Sequence, residues 1–350
     1  MHFAEQSMIS AYTPEARRNQ GMLDFRDGDV MIKRIAVLTT GGDAPGMNAA
    51  IRSVVRYALN QKLEVMGVFR GWWGLINEEL KLFDHRSVSN IINLGGTILK
   101  TARCQEFQTE EGQKRAYETV KKHAIDGLVV IGGNGSFAAA HQFGTKYNIP
   151  CIGISASIDN DVNGIDATIG ADTAINTALA AIDNIRDTST SMERIFVVEV
   201  MGRDCGYIAL SVALAGGCED VIIPERPYDL EKVCHDIVNG NLRGKMSWII
   251  VVAEGAGSAL DVAKKITEMT DLETRAIVLG HIQRGGRPTA FSRDLALHLG
   301  KAAVDCLLEG EKDKAVGLSC GKVVTVYFET AIQKKEFNVD RWYNLIKTLT

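Results

Sequence analysis

Proline is scarce in this chain of 350 residues: there are six, and no proline-rich stretch marks a linker between domains. The seven cysteines are an odd count, with no CxxC pair and no Cys/His spacing that suits a metal. That pattern argues against a disulfide framework or zinc module and reads as reduced cytosolic thiols. No apolar run approaches the ~20 residues that a membrane helix needs, and the longest, such as Trp248–Ala253, are strand-length. Neither sign of charge is in great excess, the formal net charge being −4. The chain therefore has no global pull on nucleic acid or anionic membrane, and any anion site must be local. Residues 1–30 are polar and aperiodic and lack an apolar signal core. They read as an N-terminal extension or upstream start, expected to be poorly ordered.

Hydrophobic residues make up 46% and charged residues 23%, ordinary globular usage and enough length for two domains. Heptads, short repeats and low-complexity segments are absent. From Lys33 onward, strands and helices alternate. Strands are expected at Arg34–Thr39, Leu63–Phe69, Leu128–Ile131, Ile149–Ile154, Ile195–Val200, Val221–Ile223 and Trp248–Ala253. Helical spacing marks Met47–Leu59 and Ala174–Ile185, the latter with Ile175, Leu179, Ile182 and Ile185 on one stripe. Continuous apolar strands between helices imply parallel sheets covered on both faces.

Ligands of such sheets sit beyond the carboxyl ends of the strands. Three of those ends are glycine-rich: Gly41-Gly42-Asp43, Gly132-Gly133-Asn134-Gly135-Ser136 and Gly202-Arg203. One such loop more often merely closes a tight turn; two on strands of the same half favour phosphate binding through backbone N–H groups. Neither GxxxxGK[ST] nor GxGxxG follows the first strand, which argues against a P-loop kinase and a nicotinamide dehydrogenase. Ser157-Ile158-Asp159-Asn160-Asp161 places two carboxylates two residues apart after a strand. Alone, Asp-Asn-Asp is usually a turn; near phosphate-type loops it suits a general base plus a group that helps hold Mg²⁺. Arg194, Arg203, Arg275, His281 and Arg284 stand near strand ends in a net acidic chain, which suggests a small anionic substrate. Glu254 closes the Trp248–Ala253 strand, where it suits sugar hydroxyls or plain solvation.

The order of these motifs, from Gly41-Gly42-Asp43-Ala44-Pro45-Gly46-Met47-Asn48-Ala49 through Gly132–Ser136, Ser157–Asp161 and Met201–Arg203 to Gly280-His281-Ile282-Gln283-Arg284-Gly285-Gly286, resembles the bacterial ATP-dependent 6-phosphofructokinase family. The resemblance covers nearly the whole chain from Met31. It implies transfer of the γ-phosphoryl of ATP to the 1-hydroxyl of fructose 6-phosphate with Mg²⁺, in a cytoplasmic homo-oligomer, usually a tetramer. The implied fold is two αβα-sandwich, Rossmann-like domains with mostly parallel sheets and the active site in the interdomain cleft. The expected division is a nucleotide-binding domain of residues 31–170 plus about 283–333. A smaller fructose-6-phosphate domain would take about 171–282 plus 334–350.

By motif match, the resemblance makes Asp159 the general base, with Ser157 at the transferring phosphoryl, Asp161 supporting the metal and base, and Arg203 stabilising charge. Gly42, Arg103, Cys104, Gly133, Asn134, Gly135 and Ser136 would bind ATP, and Asn134 with Asp161 the metal. Ser157, Asp159, Arg194, Met201, Gly202, Arg203, Glu254, Arg275, His281 and Arg284 would hold the sugar phosphate, Arg194 and Arg275 reaching it from a neighbouring subunit. Arg52, Arg56, Arg186, Glu219, Arg243 and Lys245 match the family's allosteric site for ADP or a phosphoenolpyruvate-like effector. His85 replaces one arginine there.

The departures cluster on the donor side. Asn134 replaces the aspartate of the GGDGS loop, which loses a charge where hard Mg²⁺ is expected. Ser155-Ala156-Ser157 replaces Pro-Gly-Thr, and Gln108 and Gln113 replace basic residues. Pyrophosphate-using relatives tend to carry Asp at the position of Gly135 and Lys at that of Ala156; both are small here, so ATP is the expected donor. The alternatives are a pyrophosphate-dependent enzyme and a non-catalytic regulatory subunit that binds sugar phosphate.

Overall fold

The structure, a computed structural model, describes residues 32–350 together with the backbone of Ser10–Ala11. Apart from that pair, the extension expected over residues 1–30 lies outside the described residues. The chain divides into two compact units. One comprises Met1–Ser157, Val162–Gly170 and Arg287–Lys335; the other comprises Ile158–Asp161, Ala171–Gly286 and Glu336–Thr350.

The first unit starts with β1 (Ser10–Ala11), β2 (Arg34–Thr39), α1 (Met47–Asn60), β3 (Glu64–Val68), α2 (Gly71–Ile76) and β4 (Leu80–Phe83). It continues through α3 (Glu110–Lys122), β5 (Gly127–Gly132), α4 (Asn134–Tyr147), β6 (Cys151–Ser157) and β7 (Ile169–Gly170). The second unit supplies α5 (Ala171–Met192), β8 (Ile195–Val200), α6 (Tyr207–Ala215), β9 (Asp220–Ile222), α7 (Leu230–Leu242), β10 (Trp248–Ala253), α8 (Ala259–Thr270) and β11 (Thr274–Val278). The chain returns to the first unit for α9 (Ala290–Leu308), β12 (Lys314–Ser319), β13 (Lys322–Tyr327) and α10 (Phe328–Ala331), and α11 (Val339–Leu349) belongs to the second.

The sheet of the first unit runs β1-β13-β12-β6-β5-β2-β3-β4, with β7 beside β6. Its centre from β12 to β3 is parallel, and β13, β1 and β4 add antiparallel edges. Ile35, Val37, Leu128 and Val130 are fully buried, as strands covered on both faces require. On one face α1 packs along α9, where Ser53 Oγ donates to the Leu297 carbonyl at 2.6 Å and the Tyr57 hydroxyl to Asp305 at 2.6 Å. An aromatic group of Trp72, Phe107 and Phe143 belongs to the core of this unit, with the Trp72 and Phe107 rings stacked at 4.3 Å.

The sheet of the second unit, β11-β8-β10-β9, is parallel throughout. Ile195, Val197, Ile250 and Val252 pack with Ile237 of α7 and Ile266 of α8. Asp229 and Ser258 start those helices by accepting backbone N–H groups at their N-caps.

Several elements differ from the periodicity reading. The strand expected at Ile149–Ile154 is Cys151–Ser157, so Ser155-Ala156-Ser157 belongs to the sheet. Those small polar residues look like a loop in sequence, but Gly132 pairs with Ser155, and β7 pairs with Ala156 and Ser157. The helix expected at Ala174–Ile185 extends over Ala171–Met192. Strands β4, β11, β12 and β13 were not anticipated; β4 and β11 are short, partly exposed edge strands. All seven cysteines are free. Among the described residues, no helix is long and apolar enough to cross a membrane.

Candidate active site

In each unit the topology marks one place for a ligand. From β2 the chain goes through α1 to β3 on one side, then returns to β5 on the other side of β2. From β8 it goes to β9 and β10 on one side and then to β11 on the other. Crevices open beyond the carboxyl ends of strands where the order reverses in this way. The glycine loops after β2 and β5 flank the first reversal, and the motifs after β8 and β11 flank the second.

In the first unit the two loops interlock. The Thr40 N–H donates to the Ile131 carbonyl at 3.1 Å, and Ser136 Oγ donates to the Thr40 carbonyl at 3.1 Å. A Cβ on Gly132 would stand 2.3 Å from Ser136 Oγ and 2.7 Å from the Thr40 oxygen, so glycine permits this approach. Gly133 is the N-cap of α4, which puts Asn134, Gly135 and Ser136 in its first turn. Backbone N–H groups there lack helical acceptors and, with the helix dipole, favour an anion. Gly42 lies in the exposed turn between β2 and α1. Ser157 ends β6 beside this loop, its Cβ 3.5 Å from where a Gly133 Cβ would be. Arg103 is exposed and Cys104 half-buried on the segment before a short turn at Glu106–Gln108; burial pushes the Cys104 thiol up. Of the two glutamines that depart from the family pattern, Gln108 is exposed and Gln113 is buried in α3.

The second unit gathers the acid–base groups. Asp159 is 4% exposed, and Arg203 Nε lies 3.7 Å from its Oδ2. Burial raises the Asp159 carboxyl, with a further push from Asp161 and Glu254, while Arg203 and Arg284 oppose it; the result is about 6. A carboxyl held there is ionised at neutral pH yet basic enough to take a proton.

The segment that presents Arg203 is anchored at each residue. Gln283 Oε1 accepts the Met201 N–H at 2.9 Å, and Glu254 Oε1 accepts the N–H groups of Gly202 at 3.1 Å and Arg203 at 2.7 Å. Gly202 has φ +142°, and a Cβ on it would stand 2.5 Å from the Cys205 carbonyl. Glu254 therefore has a structural duty besides the sugar contact expected of it, and its carboxylate retains acceptor capacity at Oε2. His281 lies in the short turn Gly280–Gln283 that follows β11, and Arg284 follows it directly.

Arg194 and Arg275 share one acid: Arg194 Nε is 3.0 Å from Glu273, and Arg275 pairs with the same carboxylate. Of the expected effector residues, Arg186, Glu219 and Lys245 come together. The buried Glu219 has Lys245 at 3.3 Å and Arg186 at 3.9 Å, and Arg186 also donates to the carbonyls of Gly216 and Gly217. Arg243 is the C-cap of α7. Arg52 and Arg56 stand one turn apart on α1, and burial with the Arg56 charge lowers the Arg52 guanidinium.

Sequence reasoning gave no role to Gln283 or Glu273. Gln283 lies inside the Gly280–Gly286 motif, but nothing in the sequence marks it as fully buried or as the acceptor of the Met201 N–H.

A buried, raised carboxyl beside an arginine in one unit and a glycine loop at a helix N-terminus in the other are groups that suit phosphoryl transfer. The phosphofructokinase family profile matches residues 34–307, and the chain belongs to that family. It is 53% identical over 301 residues to the ATP-dependent 6-phosphofructokinase of Clostridium botulinum strain Hall, covering 86% of this chain and 94% of that protein. The enzyme of the same name from Clostridium acetobutylicum is 52% identical over the same length. Among solved structures, phosphofructokinase from Saccharomyces cerevisiae superposes with a TM-score of 0.82 at 35% identity over 86% of this chain; the chain spans 45% of that yeast chain. A pyrophosphate-dependent phosphofructokinase from Marinobacter aquaeolei shares the fold, with a TM-score of 0.78 at 23% identity over 91% of both chains.

Proposed function

We propose that this chain is an ATP-dependent 6-phosphofructokinase of the cytoplasm, forming fructose 1,6-bisphosphate and ADP from fructose 6-phosphate and ATP. The first unit is the nucleotide-binding domain and the second the fructose-6-phosphate-binding domain. The observation that carries this reading is Asp159, buried, raised to about 6 and 3.7 Å from Arg203. Asp159 takes the proton of the sugar 1-hydroxyl as that oxygen bonds to the γ-phosphorus and the bond to the ADP oxygen breaks. Arg203 neutralises charge that develops on the phosphoryl oxygens. The Ser157 hydroxyl contacts the transferring group. Met201, Gly202, Glu254, His281 and Arg284 hold the sugar phosphate. Arg194 and Arg275, supplied by a neighbouring subunit of a homotetramer, bind the 6-phosphate.

Gly42, Arg103, Cys104, Gly133, Gly135 and Ser136 hold ATP. A Cβ at Gly135 would meet nothing within 4 Å, so the glycine leaves open space at the start of α4. That space favours the larger nucleotide donor over pyrophosphate.

Among the described residues, no three His, Cys, Asp or Glu side chains form a metal cage. Mg²⁺ does not need one, since it keeps several waters and takes one or two protein oxygens with substrate phosphates. Asn134, through its amide oxygen, and Asp161, through its carboxylate, suit such an ion, which when bound draws charge from the phosphates. Arg52, Arg56, Arg186, Glu219, Arg243 and Lys245 form the effector site for ADP or a phosphoenolpyruvate-like anion. The clustering of Arg186 and Lys245 around Glu219 supports that reading.

The test is the initial rate of fructose 1,6-bisphosphate formation by the purified chain with Mg²⁺ and saturating fructose 6-phosphate, with ATP or pyrophosphate in parallel. Turnover with ATP alone is expected. Turnover with pyrophosphate alone would reassign the donor, and none with either would leave a regulatory subunit.

A further inference from the structure

The first motif, Gly41–Ala49, contains a polar residue that the reaction above does not use. Asn48 lies in the first turn of α1 and is fully buried. Its Nδ2 donates to the carbonyls of Leu94 at 3.0 Å and Gly96 at 2.7 Å, and its Oδ1 accepts the Ile98 N–H at 2.8 Å. A primary amide has two donors and an acceptor oxygen, and all three contacts go to one irregular segment nearly fifty residues away.

The same segment is tied down from β2 and from the turn after β3. Thr39 Oγ1 is 3.0 Å from Thr97 Oγ1 and donates to the Lys100 carbonyl at 2.9 Å, and the Arg70 N–H donates to the Leu99 carbonyl at 2.7 Å. Residues 94–100 have no sheet ladder or helix to satisfy their backbone, so these contacts define their course. Three residues beyond Lys100 stands Arg103.

We propose that Asn48 is a positioning residue of the nucleotide half-site. It fixes segment 94–98 against α1, and so sets where the chain presents Arg103 and Cys104 relative to the turn that carries Gly42. One strand–turn–helix unit then places both the glycine backbone and the arginine that face the donor's phosphates. The inference rests on the assignment of Arg103 to the nucleotide. Replacing the amide by a carboxylate would keep the acceptor for Ile98 but face the Leu94 and Gly96 carbonyls with oxygen.

The experiment compares Asn48→Asp, Arg103→Ala and the double variant in the full chain. MgATP is varied at saturating fructose 6-phosphate, and then the reverse. Asn48→Asp is expected to raise KM for ATP about tenfold, the scale of one or two lost hydrogen bonds, and to leave KM for fructose 6-phosphate unchanged. In the double variant the Asn48 substitution is expected to add nothing to Arg103→Ala. Additive effects, or equal changes in both KM values, would overturn the proposal and leave Asn48 a packing residue. If Arg103→Ala leaves KM for ATP and kcat intact, the assignment of Arg103 fails and the inference fails with it. Thr97→Val, nearly isosteric, guards against a misfolded Asn48 variant. It is expected to raise KM for ATP about threefold, again without effect on the sugar phosphate, and no change would count against the proposal.

Discussion

Asp159 is the residue proposed as the general base, and its environment gives that role a testable acid limb. Because burial raises the carboxyl to about 6, kcat/KM for fructose 6-phosphate is expected to fall tenfold per pH unit below that value. A pH–rate profile from 5 to 9 checks this; an acid limb near the ordinary aspartate value, ~4, would contradict it. The stability consequence has the opposite sense. A carboxyl with a raised folded value stabilises the fold fully below ~4 and loses that contribution as pH rises through about 6. Asp159→Asn is therefore expected to flatten the pH dependence of stability between those values, measured by urea unfolding. Asn134 is the other residue to test. Restoring a carboxylate with Asn134→Asp is expected to lower the Mg²⁺ concentration that gives half-maximal rate; an unchanged requirement would remove this residue from metal handling. The identities and order of these residues were legible in the sequence. The ionisation of Asp159 was not, because it follows from the burial of the carboxyl and from four charged neighbours that belong to other segments or lie across the turn.

Elements were legible where burial is two-sided. The cores of β2, β5, β8 and β10 are apolar runs that periodicity marks directly, and Ile195–Val200 and Trp248–Ala253 have the expected bounds. The end of β6 was not legible, since Ser155, Ala156 and Ser157 are in the sheet only because β5 and β7 offer them partners. The tightness of β6 supplies a prediction of its own. A Cβ at Gly153 would stand 2.4 Å from Phe137 and 2.7 Å from Phe328, two fully buried rings stacked on one another. Gly153→Ala is expected to destabilise the chain by about 1–3 kcal/mol through overpacking, read as a lower urea midpoint at unchanged m-value. An unaltered midpoint would mean that the rings shift without cost.

For the whole molecule the open question is whether one chain builds a complete site. If Arg194 and Arg275 serve the neighbouring subunit, Asp159→Ser chains and Arg194→Ala/Arg275→Ala chains are each impaired, but their mixtures regain activity. Unfolding and refolding the two variants together is expected to restore a measurable fraction of the wild-type rate, because some interfaces pair an intact base with intact arginines. No recovery, with mixed oligomers demonstrated, would place both sets on one chain. The sequence by itself determined the family, the order of the motifs and the parallel α/β character, because apolar runs and glycine turns are local in the chain. Tertiary structure decided that two sheet-order reversals are each flanked by a pair of these motifs, that Glu273 takes both arginines, and that Gln283, Glu254 and Asn48 act as anchors. The anchoring roles of Gln283, Glu254 and Asn48 depend on hydrogen bonds between residues nearly fifty or more positions apart, and no periodicity or spacing encodes which distant backbone group a buried side chain will meet.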